Sequence, residues 1–185
     1  MTGAATDIGV READAEDAAA IARIYAESWR STYAGILPDD VLVNLKMGER
    51  EIRRWQAILG PYRGNHFVHV AEAAEGGVIG FAGAGPARNA ALSYNAEVYT
   101  IYVEDDFHGR GIGRQLFAST VARAQESRGP SVIVWCLSSN PARFFYERMG
   151  GVQVARRPGT MGGLAIEEIG YAWADASDVV VWGSA

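Results

Sequence analysis

The stretch FHGRGIGRQLF, residues 107–117, follows the β-rich run AEVYTIYVE (96–104) and sets Gly109, Gly111 and Gly113 at alternate positions before a helical pattern. Glycine weakens a helix or strand interior by roughly 0.5–1 kcal/mol, so this spacing needs a tight turn or a ligand that approaches the backbone closely. Glycines that open a helix expose several backbone N–H groups where the helix dipole is positive, a concavity suited to a pyrophosphate. A GxxxxGK[ST] phosphate loop is excluded, because no Lys-Ser or Lys-Thr pair follows. A GxGxxG dinucleotide fingerprint is excluded as well, since position 114 is Arg and the motif lies past mid-chain.

Working outward, GRQLFASTVARAQESRG (113–129) reads as a helix burying Leu116, Phe117, Thr120, Val121 and Ala124. SVIVWCL (131–137) reads as a strand covered on both faces. NPARFFYERMG (140–150) reads as a second helix, with Asn140 as cap and Pro141 at its first position. Its Phe144 and Phe145 read as core. GVQVARR (151–157) and LAIEEIGYAW (164–173) read as strands, with Pro158, Gly159, Gly162 and Gly163 in a loop between them. Upstream, HFVHVAEA (66–73) and GVIGFAGAG (77–85) form a hairpin through Glu75, Gly76 and Gly77.

Before these strands come an amphipathic helix over Asp17–Arg30, a short one opened by Pro38, Asp39 and Asp40, and a third that stops at Gly60-Pro61. In 96–104, strict alternation places Glu97, Tyr99, Ile101 and Val103 on one face, with Val98, Thr100 and Tyr102 on the other. The last residues, DVVVWGSA, alternate too little to assign an element; an edge strand that covers this domain or pairs with a second chain is one reading of them.

The chain has 185 residues, 49% hydrophobic and 21% charged, which suits one globular domain over 1–185. A net charge of -5 argues against a nucleic-acid partner, whose phosphates demand Lys and Arg. No apolar run approaches the ~18 residues of a membrane span, and the start lacks a signal-peptide pattern, so the expected location is cytoplasmic. Cys136 is the only cysteine, which rules out an intramolecular disulfide. His66, His69 and His108 have no metal-ligand spacing, and His66 and His69 fall on opposite faces of their strand, so no metal is expected.

The ordered set of YTIYV, an acidic turn, the glycine loop, a long helix, an apolar strand and NPARFFYERMG resembles the GCN5-related N-acetyltransferase (GNAT) family, over roughly residues 66–157. The resemblance implies an α/β fold with a mixed, mostly antiparallel sheet of about seven strands flanked by helices, splayed between 96–104 and 131–137. It implies acetyl-CoA as co-substrate, bound by His108, Gly109, Arg110, Gly111, Ile112, Gly113 and Arg114, by the strand at Ile101, Tyr102 and Val103, and by Asn140 and Phe145. At its first loop position this chain has His108 where the family has Arg or Gln; it either touches a phosphate or is an exposed loop histidine. Gly151 stands where the family often has an aromatic residue.

Acetyl transfer to an amine needs a neutral nitrogen, a stabilised oxyanion and a proton for the departing thiolate. The resemblance places Glu97 as base, directly or through water, and Tyr146 as acid. Glu104, Asp105 and Asp106 read as solvated. Cys136 suggests a covalent route through an acetylated thiol, against which stands core packing in VIVWCL. Trp29, Tyr33 and Leu37 are candidate acceptor-pocket residues or aromatic core. The expected acceptor is a small-molecule amine; a protein or peptide amine and a non-catalytic acyl-CoA-binding module are the alternatives. The family also suggests a homodimer.

Overall fold

In the computed structural model, residues 8–35, 39, 42, 49–60, 64–161 and 163–179 are described. Seven strands form one sheet: β1 (Gly9–Glu12), β2 (Phe67–Glu72), β3 (Val78–Pro86), β4 (Ala96–Val103), β5 (Val132–Leu137), β6 (Val152–Met161) and β7 (Leu164–Trp173). Their order is β1-β2-β3-β4-β5-β7-β6. Every neighbouring pair is antiparallel except β4 and β5. The helices are α1 (Ala18–Tyr33), α2 (Glu49–Leu59), α3 (Ile112–Arg128) and α4 (Arg143–Arg148).

Both sheet faces are covered, which explains the long apolar strand runs. On one side α3 buries Phe117 and Val121 against Val98, Val134 and Tyr171. All five α3 residues expected inside are buried, because the 3.6-residue period turns them toward the sheet. On the other side α1 and α2 bring Ile21, Ile24 and Trp55 onto Val70 and Phe81.

Several elements differ from the sequence reading. The seventh strand is the N-terminal β1, paired with β2 from Gly9↔Glu72 to Glu12↔His69. Residues 180–185 and most of the short helix after Pro38, Leu37 included, lie outside the described residues. Pro158 and Gly159 belong to β6. That strand is the sheet edge, where a missing N–H can face solvent. The helix after Asn140 starts only at Arg143, following turns in which Ala142 N–H donates to Asn140 Oδ1 at 2.8 Å. Phe144 is exposed, with the Arg143 guanidinium over its ring, and is not core.

Strict alternation also fails in β4. Opposite β3, Gly83 pairs with Thr100 and Ala84 with Val98, so Tyr99 is an extra, bulged residue. A bulge reverses the facing of everything beyond it. Val98 and Ile101 consequently pack on the same Phe117 cluster, and Tyr102 packs on the Trp55–Phe81 side. Glu97 therefore does not share a face with Ile101 and Val103, as alternation had implied.

Candidate active site

The parallel pairing of β4 and β5 covers only Ala96↔Val132, Glu97↔Ile133 and Val98↔Val134. Beyond these pairs the two strands part, and the rest of β4 offers its backbone groups to the gap. The gap opens into a cleft of about 1750 Å³. That exceeds the ~300–1,000 Å³ of an ordinary small-ligand pocket and leaves room for a large coenzyme with an acceptor.

At one end of the cleft lies the glycine loop. Gly109 and Gly111 have φ of +74° and +81°, and a Cβ built on either would meet nothing within 4 Å. Backbone conformation and open space, rather than packing, thus require glycine there. Gly111 caps α3, so the first N–H groups of a 17-residue helix face the same space. Gly113 lies against Phe145, whose ring meets Phe117 at 5.7 Å between centroids and holds the helix start in place.

Ile101, Tyr102, Val103, His108, Arg110, Ile112, Arg114 and Asn140 also line the cleft. This cradle suits the pyrophosphate and amide-bearing arm of an acyl coenzyme A.

His108 lines the cleft with one ring nitrogen already engaged within the protein. Its Nε2–H donates to the Val103 carbonyl at 2.8 Å and ties the loop to the end of β4. The acidic turn is not merely solvated: Glu104 pairs with Arg23 at 2.6 Å, and Asp105 accepts from the Ser31 hydroxyl at 2.8 Å, fastening α1 beside the loop.

Tyr146 is buried where the gap meets α4 and lines the cleft. Burial pushes its phenol well above the usual tyrosine range, so it stays protonated at neutral pH. Cys136 and Tyr33 stand close enough to act on it electrostatically. Burial also pushes the Cys136 thiol up to about 11, helped by the Glu168 carboxylate. That thiol is a poor nucleophile at neutral pH. Tyr33 sits against Tyr102 and Asn140, which brings three candidates from distant parts of the chain to one spot. Trp29 packs on Tyr33 with tilted ring planes and centroids 4.7 Å apart, and both line the cleft.

Glu97 is 1% exposed and is absent from the cleft lining. Its Oε2 accepts the Arg88 backbone N–H at 2.9 Å, and its Oε1 accepts the Arg88 Nε at 3.0 Å and Nη2. Arg88 and Glu168, which sequence reasoning did not single out, do line the cleft. Glu168 was visible in the sequence as a carboxylate inside an apolar strand. Arg88 left no signal, because only the fold brings it to Glu97. Gly151 also finds its reason here: a Cβ would stand 2.8 Å from the Trp173 ring, so that indole occupies the space.

A splayed sheet with a glycine-capped helix at the splay defines an acyl-CoA-binding acyltransferase. Residues 64–150 match the model of the acetyltransferase (GNAT) domain. The chain is 34% identical to the uncharacterised N-acetyltransferase YuaI of Bacillus subtilis (strain 168), over 92% of this chain and 95% of that one. It superimposes on yncA of Salmonella typhimurium, solved with its cofactor acetyl-CoA, with a TM-score of 0.70 at 23% identity, covering 90% of this chain and 92% of that one. The ribosomal-protein-alanine N-acetyltransferase of Brucella melitensis gives a TM-score of 0.70 at 24% identity, covering 89% and 98%. The chain belongs to the GNAT family of N-acetyltransferases, enzymes that use acetyl-CoA.

Proposed function

We propose that this enzyme transfers an acetyl group directly from acetyl-CoA to the primary amine of a small molecule. The observation that carries this reading is the aromatic wall that α1 sets along the acceptor side, Tyr25 on Trp29 at 5.5 Å and Trp29 on Tyr33 at 4.7 Å. Packed rings form a rigid surface suited to a compact acceptor. A peptide bound by strand addition would need an unpaired backbone edge. The backbone groups that β4 leaves unpaired in the gap go to the coenzyme arm in this reading, and the lining left to the acceptor includes Trp135 and Glu168.

In this mechanism backbone N–H groups of β4 near Ile101 and Val103 hold the coenzyme arm and polarise the acetyl carbonyl. The amine attacks that carbon, the C–N bond forms, the C–S bond breaks, and Tyr146 protonates the departing sulfur. Direct transfer agrees with the neutral Cys136 thiol. A base role for Glu97 would require it to part from Arg88 first, so in this reading Glu97 holds Arg88 in place and is a positioning residue. Tyr146→Phe removes one hydroxyl from a packed ring. It is expected to lower kcat by about 10²-fold or more, while acetyl-CoA affinity measured by calorimetry stays unchanged. Unaltered turnover at every pH would remove Tyr146 from the mechanism. Thiol release with a panel of amines and peptides tests the acceptor class, and faster turnover of peptides than of small amines would overturn it.

A further inference from the structure

The acceptor end of the cleft carries charge that acetyl transfer does not itself require. Arg88 lies at the level of Glu97, which five residues of β3 separate by about 17 Å from Val103 beside the glycine loop. It is therefore at the wrong end for the coenzyme pyrophosphate. A cation that only neutralised Glu97 would be buried with it, yet the Arg88 side chain is 61% exposed against 1% for Glu97. Its plane is fixed twice, by Glu97 along the Nε–Nη2 edge and by the Tyr99 ring, whose centroid lies 4.6 Å from Cζ. Tyr99 is held in turn by its hydroxyl, which donates to the Pro86 carbonyl at 2.6 Å.

The other edge of the fork, Nη1 with the second hydrogen of Nη2, meets no hydrogen-bond acceptor among the described residues. Such an edge is shaped for a bidentate carboxylate. Across the splay stands Glu168. Its carboxylate, 22% exposed, accepts from the Arg157 Nε at 2.7 Å, and the Arg157 guanidinium lies over Trp135 at 4.0 Å. Arg88 and Glu168 act on each other electrostatically through the cleft they both line.

We propose that the acceptor is an amino carboxylate, its carboxylate seated on the open edge of Arg88 and its ammonium drawn to Glu168. This rests on the small-amine reading above. The acceptor's apolar part lies between Trp29 and Trp135. Transfer forms the amide C–N bond and breaks the thioester C–S bond; of the two protons the nitrogen loses, one ends on the coenzyme sulfur and one leaves to solvent.

The test is steady-state thiol release with phenylalanine and leucine, against their amides and the matching decarboxylated amines. The expected result is kcat/KM about 10- to 100-fold higher for the acids, the range of one or two charged hydrogen bonds. Arg88→Lys keeps Glu97 neutralised but loses the fork, and is expected to raise KM for the acids about tenfold while KM for acetyl-CoA holds. Glu97→Leu with Arg88→Leu removes both charges, so that no orphaned buried carboxylate threatens the fold, and is expected to abolish the preference for acids. Glu168→Gln should raise KM for acids, amides and amines alike. Equal or better use of the amides and amines would overturn the proposal and leave the N-acetyltransferase reading standing. Turnover of peptides with none of the small amines would overturn both.

Discussion

At the residue scale, burial sets the chemistry available to each group in the cleft. Cys136 is 8% exposed and its thiol is pushed up to about 11, so at pH 7.5 it is a neutral packing group and not a thiolate. Its alkylation by iodoacetamide should be about 10²-fold slower than that of a free cysteine at pH 7.5. The rate should climb close to tenfold per pH unit as pH rises toward that value, since deprotonation creates the nucleophile. Rapid alkylation at pH 7.5 would reveal an activated thiolate and restore the covalent route. Of the residues marked in the sequence, Tyr146, Asn140 and Tyr33 meet at one place. Glu97 does not join them, because it lies five residues back along β4 from Tyr102, which touches Tyr33, and Arg88 holds its carboxylate.

At the element scale one substitution separates the glycine loop's role as a turn from its role as a cradle. Gly111 adopts a left-handed conformation in open space, so Ala there is strained by its backbone alone. Gly111→Ala should cost about 1–2 kcal/mol in unfolding free energy. It should weaken acetyl-CoA binding at least tenfold by calorimetry, since the added methyl stands where the cradle must admit a ligand. A stability loss with unchanged affinity would make the loop a turn only. The loop and α3 were legible in sequence because both signals are local. By contrast β1 is four residues of mostly exposed pattern and became a strand only by pairing with β2. Pro158 and Gly159 read as loop because the edge position that tolerates them is a property of the sheet.

At the scale of the whole molecule, the cleft exists because β4 and β5 are parallel neighbours that pair over three residues and then diverge. A ligand lodged between two halves of one sheet should couple to global stability. At acetyl-CoA about 100-fold above its Kd, mass action contributes ~2.7 kcal/mol. For a chain of this size that is an increase in Tm of roughly 5–10 °C by thermal scan. No change at millimolar acetyl-CoA would contradict the assignment of the cleft. The net charge of -5 does not oppose a polyanionic coenzyme, because Arg110, Arg114 and the α3 N-terminus concentrate positive potential at one end of the cleft.

The sequence by itself determined the order of the elements from β2 to β7, the glycine turn ahead of α3, the buried face of α3 and the placement of Tyr146 on a helix that follows an apolar strand. Each is written in local spacing or in the periods of helix and strand. Only the tertiary structure decided that Tyr99 is bulged, that β1 closes the sheet, that Trp173 fills the space beside Gly151, and that Arg88 and Glu168 face one another across the acceptor end. Those facts arise from pairings between distant segments. Burial and charge there depend on which partner arrives in space, not on which residue comes next in the chain.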